Sequence, residues 1–310
     1  MNKTIDIIIL TGPTGVGKTN LSLEIAKKLN TDIISADSMQ VYKGMNIGTD
    51  KIMPEQMADI KHYNIDVTTP DKVYSVKEYA NRTKSIIEKL DKESKVPFIV
   101  GGSGLYIDSI IYDLGFGKKS DPIIRKNLEL ELKKFGLKRL VTRLKEIDLD
   151  YANSIDCQNP RRVIRALEIY EITKNKPSKY LNKKNLRYKN LKYNYRYFVL
   201  NREREKLYEN INNRVDMMIE DGLIDEVKAL YDKYNTKDSA LFTAIGYKEI
   251  ISYLNGEIDK ADAIMLIKKN SRNYAKRQLT WFRREKEAIW IDKENKTNSE
   301  IIDEIMEKIY

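Results

Sequence analysis

Cysteine and histidine are almost missing from this chain of 310 residues, which has one of each, Cys157 and His62. A single cysteine excludes an internal disulfide, a cysteine-based zinc finger and a CxxC redox pair. A single histidine excludes a His-rich metal centre and leaves a Ser-His-Asp triad only that one residue to use. Cys157 is expected as an ordinary packed or surface thiol, and His62 as a strand or loop residue. Glycine (14) and proline (7) are scarce too, which excludes a collagen-like or low-complexity chain. No apolar run approaches the length of a membrane span. Ile5–Leu10 is short, contains Asp6 and runs into a glycine-rich turn, so it reads as a buried strand and not a signal peptide. The expectation is a soluble, cytoplasmic protein of one large domain or two.

The charge is lopsided. Lys and Arg outnumber Asp and Glu 56 to 46, so an anionic partner fits. Residues 115–196 hold 22 basic and 9 acidic residues, and the rest of the chain 34 and 37. One middle segment therefore carries more than the whole positive excess. That is more than solubility requires of a helical face and resembles a module facing a polyanion.

Outside that segment, β-branched apolar runs alternate with helical patterns. The runs are Ile5–Leu10, Ile33–Ser35, Tyr63–Val67, Val96–Val100, Tyr197–Leu200 and Ala288–Ile291. Helical periodicity covers Asn20–Leu29, Val76–Leu90, Arg204–Ile219, Leu223–Tyr231, Ala261–Arg284 and Ser299–Ile309. Strands without internal alternation, separated by helices, predict a parallel sheet covered on both faces. In the middle segment Arg125–Phe135, Leu137–Lys145 and Pro160–Glu171 read as helices and Lys174–Lys192 as a basic loop. The expected architecture is an α/β core (1–114 and 197–310) of doubly wound, P-loop kinase-like type, interrupted by a mostly helical, basic insertion (115–196).

Gly12-Pro13-Thr14-Gly15-Val16-Gly17-Lys18-Thr19 matches the phosphate-binding pattern GxxxxGK[ST], with a strand before it and a helix after it. Glycines let backbone amides converge on an anion, and the helix N-terminus adds partial positive charge. Lys18 supplies a cation, and the Thr19 hydroxyl is placed to hold Mg2+. This predicts a diphosphate or triphosphate site without specifying ATP.

No Asn-Lys-x-Asp or Asp-x-x-Gly motif follows, so a GTPase is excluded. Val96–Val100 ends in glycines where a motor ATPase would place an acid. The first acid at a strand end is Asp37, beside the phosphate loop, where doubly wound sheets bind ligands. It could hold magnesium-bound water or accept a proton from a nucleophile. Asp37-Ser38 is also good capping chemistry.

The ordered blocks GPTGVGKT (12–19), IISADSMQVYKGMNIGTDK (33–51), GGSGLYI (101–107), NPRRVIRALE (159–168), AIGYKE (244–249) and YAKRQLTWFRR (274–284) resemble the tRNA dimethylallyltransferase, or tRNA isopentenyltransferase, family. They span nearly the whole chain. The resemblance implies transfer of a dimethylallyl group from dimethylallyl diphosphate to N6 of the adenosine 3′-adjacent to the tRNA anticodon. It implies a phosphate loop that grips the prenyl diphosphate, with Lys18, Thr19 and Mg2+ on the leaving group and Arg214 helping to hold it. Asp37 would accept the N6 proton, and Ser38, Met39, Gln40 and Ser103 would line the tRNA contact. Ser103 stands where the family more often has Thr. From the insertion, Arg125, Arg161, Arg162, Val163, Ile164 and Arg165 would contact the anticodon stem-loop. The implied form is the short bacterial one, a monomer with no zinc finger.

Lys269, Arg272, Lys276 and Arg283 share a helix face that could follow tRNA phosphates or simply be solvated. Trp281 and Phe282 are expected in the core. A small-molecule kinase with a basic lid, and a non-catalytic P-loop RNA-binding switch, are the alternatives.

Overall fold

A computed structural model describes residues 4–112, 121–181, 192–236 and 238–309. Packing divides the chain into two compact units, Met1–Ile111 with Leu191–Tyr310, and Tyr112–Asn190.

The first unit is a six-stranded, all-parallel sheet. Its strands are β1 (Ile5–Thr11), β2 (Ile33–Ser35), β3 (His62–Tyr63), β4 (Phe98–Gly101), β5 (Tyr193–Asn201) and β6 (Ala288–Asp292). Their order is β3-β2-β4-β1-β5-β6, which puts β1 in the interior. Its helices are α1 (Lys18–Lys28), α2 (Val76–Lys92), α3 (Gly104–Ile111), α8 (Arg204–Glu220), α9 (Leu223–Tyr234), α10 (Tyr247–Leu254), α11 (Lys260–Phe282) and α12 (Asn298–Ile309). Ile8, Leu10, Phe98, Phe198 and Leu200 on the sheet bury against Leu21 and Ile25 of α1 and Ile301 and Ile305 of α12. This is the covered parallel sheet that the apolar runs predict.

Two differences have physical causes. β5 begins at Tyr193, four residues before the expected restart, because Tyr193 and Tyr195 point inward while Asn194 and Arg196 are exposed. That alternation hides the strand from a search for continuous apolar runs. Helix α3 is buried at nearly every position, so it shows no amphipathic period.

The second unit contains α4 (Pro122–Ile147), α5 (Leu149–Ser154), α6 (Pro160–Thr173) and α7 (Ser178–Leu181). Asp121 and Asn159 cap α4 and α6, each followed by a proline in the first turn. The helices expected at 125–135 and 137–145 are both present within α4 and meet at Gly136, whose non-helical backbone with φ of +76° favours glycine. Leu140, Leu144, Val163 and Leu167 form a fully buried core. Most of the expected basic loop, 182–191, lies outside the described residues. Residues 112–190 hold 20 basic and 10 acidic side chains, and the rest of the chain 36 of each. The entire net charge therefore belongs to this unit.

Candidate functional site

The phosphate loop leaves the C-terminal end of β1 and enters α1, placing residues 12–19 at the edge where parallel sheets bind ligands. Val16 is anchored in the core. The Lys18 ammonium donates to the carbonyls of Gly12 and Pro13, both at 2.9 Å. Burial pushes it down to about 8, with Arg214 and Lys293 adding to that shift and Asp37 and Asp50 opposing it. Lys18 is thus a desolvated cation awaiting an anion.

The loop borders a cavity of about 640 Å³ in the first unit, which also takes in Asp37, Ser38, Met39, Gln40 and Arg214. Antiparallel helices α8 and α11 form two of its walls, stitched by Arg272–Asn212 at 2.5 Å and Lys268–Asp216 at 2.7 Å. Their near ends meet the loop, where Asn210 donates to the Gly15 carbonyl at 3.2 Å and Gln278 accepts from the Thr14 amide at 2.9 Å. Further along the two helices, the buried Val215, Met218 and Ile267 add apolar side chains to the cavity wall, beside Asn213, Lys248 and Ser271.

Asp37 follows β2. Its Oδ1 accepts from the Met39 amide (2.8 Å) and the Gln40 amide (3.3 Å), so it does cap the following turn. Its Oδ2 takes no hydrogen bond from the described residues. Ser103 grips both neighbours of Asp37: its amide donates to the Ala36 carbonyl at 2.9 Å, and its Oγ accepts from the Ser38 amide at 2.9 Å. Burial first, then the Asp37 charge, pushes the nearby Tyr274 hydroxyl up to about 12, so it is a neutral donor at physiological pH.

The segment after Asp37 is built by polar struts. Gln40 donates to the Thr49 and Asp50 carbonyls, both at 3.2 Å, so its amide holds the 49–50 turn. The Glu226 carboxylate takes the Asn46, Ile47 and Gly48 amides and the Tyr247 hydroxyl, at 2.6 to 3.3 Å. The turn so fixed presents Asp50, which pairs with Arg214 at 3.0 Å.

A family model described as IPP transferase matches residues 40–285. A tRNA dimethylallyltransferase of Clostridioides difficile is 45% identical, covering 99% of this chain and 97% of its own. One from Bacillus subtilis is 44% identical, with coverage of 94% and 92%. The chain belongs to the tRNA dimethylallyltransferase family. A tRNA isopentenylpyrophosphate transferase from Bacillus halodurans superposes with a TM-score of 0.73 at 40% identity, over 99% of this chain and 96% of its own. A eukaryotic dimethylallyltransferase acting on tRNA gives 0.75 at 28% identity, over 93% and 74%. As in other tRNA dimethylallyltransferases, the core is a P-loop kinase-like α/β fold.

In this tRNA dimethylallyltransferase the residues expected around the donor come together in one cavity: Lys18, Thr19, Asp37 and Arg214 all line it. The six expected in the insertion lie in the second unit and divide by burial. Arg161 and Arg162 are exposed at the start of α6 and carry no ion pair among the described residues. Val163 and Ile164 are in that unit's core, 0% and 4% exposed, because they fall on the inward face of α6. That differs from the expected surface contact. Arg125 of α4 pairs with the buried Glu168 of α6 at 3.8 Å, and Arg165 pairs with the same carboxylate within α6 at 2.8 Å. Of the α11 residues, Arg272 is tied to Asn212, while Phe282 is fully buried as expected. Residues missed from the sequence are Asn210, Tyr274, Arg277 and Gln278, all on the cavity wall. The signal was available for three of them, since positions 274, 277 and 278 share one face of the quoted block YAKRQLTWFRR.

Proposed function

We propose that this chain transfers a dimethylallyl group from dimethylallyl diphosphate to N6 of the adenosine 3′-adjacent to the anticodon in tRNA, releasing diphosphate. The observation that carries the reading is one cavity lined by Lys18 and the phosphate loop, by the buried apolar Val215, Met218 and Ile267, and by Asp37. A prenyl diphosphate uses both a phosphate cradle and apolar walls.

The chemistry follows from the placement. N6 attacks C1 of the donor, the C1–O bond breaks, and its electron pair leaves with the diphosphate. Charge grows on the leaving oxygen, and in this reading the loop amides, Lys18 and Arg214, which border the same cavity, stabilise it most in the transition state. Adenine N6 is a poor nucleophile, so alignment and proton removal both matter. Asp37 Oδ2 accepts the proton, while Oδ1 stays fixed by the two amides.

Among the described residues no three His, Cys, Asp or Glu side chains gather as a metal site. The donor set suits a Mg2+ carried by the substrate: the exposed Thr19 hydroxyl would hold it alongside diphosphate oxygens and water. When bound, it neutralises charge on the leaving group.

Arg161 and Arg162 present uncommitted cations on the basic unit, and in this reading they engage phosphates of the anticodon stem-loop. Unstacked bases and phosphates are how such RNA is recognised. Among the described residues no helix is long and apolar enough to cross a membrane.

Purified protein with Mg2+, dimethylallyl diphosphate and unmodified tRNA is expected to yield N6-prenyladenosine and diphosphate without consuming ATP. ATP consumption with no modified base would favour a kinase.

A further inference from the structure

Gln278 sits on α11, 5% exposed, with both ends of its amide committed. Oε1 accepts from the Thr14 amide of the phosphate loop at 2.9 Å, and Nε2 donates to the Gly102 carbonyl at 2.9 Å. The partners, an N–H and a C=O, fix which end is oxygen. The next residue, Ser103, grips Ala36 and Ser38 on either side of Asp37. Two sets of hydrogen bonds, through Gln278 and through Ser103 and joined by the 102–103 backbone, therefore link the phosphate loop to the residues on either side of Asp37. From α11, Gln278 joins the loops that follow β1 and β4, and Ser103 joins the β4 loop to the segment that follows β2.

The surrounding packing supports this. A Cβ on Gly102 would lie 2.2 Å from Gln278 Nε2, and one on Gly104 would lie 2.2 Å from Trp281 Cδ1. The Tyr274 hydroxyl interacts with the Ser103 and Gln278 side chains. Positions 274, 278 and 281 recur at i, i+4 and i+7, so one face of α11 is fitted to the glycine loop 102–104.

We propose that Gln278 is a positioning residue that sets the distance between the leaving diphosphate and Asp37. This rests on the functional reading above. In-line displacement needs the nucleophile, C1 and leaving oxygen in register, and an error of about 1 Å can cost on the order of 100-fold in rate. Both polar ends of the Gln278 amide are taken by protein partners, so its loss acts through geometry.

The test uses Gln278→Met, which keeps volume but makes neither bond, and Gly102→Ala, which keeps the glutamine and pushes its amide away. Single-turnover rates, KM for each substrate, and melting temperature are measured on the full chain. Both variants are expected to lower kcat on the order of 100-fold while KM for tRNA and donor stays within about threefold. Adding Ser103→Ala to Gln278→Met is expected to cost less than the product of the single effects, because both act on the same link between the phosphate loop and the Asp37 segment. The proposal is overturned by a kcat near wild type, by a loss carried wholly by KM, or by effects that multiply. It is also overturned if the variants only melt lower while the folded fraction turns over normally. If wild-type protein transfers no prenyl group, the functional reading fails; if only the variants behave otherwise than expected, Gln278 is no strut and the reading stands.

Discussion

The ammonium of Lys18 is enclosed among backbone carbonyls and pushed down to about 8 by burial, which makes it the most pH-sensitive part of the donor site. The sign follows from linkage: the group is charged below about 8, and diphosphate binding favours the charged form. Diphosphate affinity attributable to Lys18 is therefore complete below that pH and declines as pH rises through it. A Lys18→Arg variant keeps its charge throughout. The ratio of wild-type to variant affinity, measured by calorimetry from pH 7 to 9.5, is expected to fall by several-fold; a flat ratio would contradict the shifted lysine. Asp37 shows how one residue serves two readings. As a cap it uses Oδ1, which leaves Oδ2 for the base chemistry, so the capping and catalytic expectations are both compatible with one side chain.

At the scale of elements, the ends of β2 and β4 approach so closely that position 101 has no room for a side chain. A Cβ there would lie 2.3 Å from the Ala36 carbonyl oxygen, a backbone atom that cannot rotate away. Gly101→Ala is expected to destabilise the fold by about 1–3 kcal/mol and to slow turnover by shifting Asp37, measured by denaturant melts and steady-state rates. An unchanged melt with normal kcat would show that the strands can part freely.

The core strands and the phosphate loop were legible in the sequence because apolar runs and a glycine pattern are local signals. Helix α3 was not, since it is buried nearly all round, Asp108 and Ser109 included. Helix α10 carries an apolar period, Tyr247, Ile250, Ile251 and Leu254, but over only eight residues, and it starts at a turn where Glu249 accepts from the Gly246 amide at 2.8 Å. Gln278 and Tyr274 stood in a quoted block, but which loop they would meet depends on where α11 lands on the sheet. Val163 and Ile164 were assigned with their arginine neighbours by adjacency, whereas helical periodicity separates them onto opposite faces.

For the whole molecule, the net charge of +10 resolves into a basic unit and a neutral one. A neutral core can hold a small diphosphate with amides and one lysine, while a basic surface suits a polyanion. Replacing Arg161 and Arg162 together by Gln is expected to weaken tRNA binding and flatten its salt dependence by about one unit of slope per lost phosphate contact. Diphosphate affinity should not change, because both residues lie outside the donor cavity. An unchanged slope in a salt titration would exclude these arginines from the RNA surface.

The most direct measurement is site-resolved mass spectrometry of tRNA incubated with the purified protein, Mg2+ and dimethylallyl diphosphate, comparing wild type with Asp37→Ala. The account predicts one C5H8 addition on the adenosine 3′-adjacent to the anticodon for wild type, and at least a 100-fold slower addition for the variant with tRNA affinity retained. Addition elsewhere, no addition, or equal rates in the two proteins would contradict it.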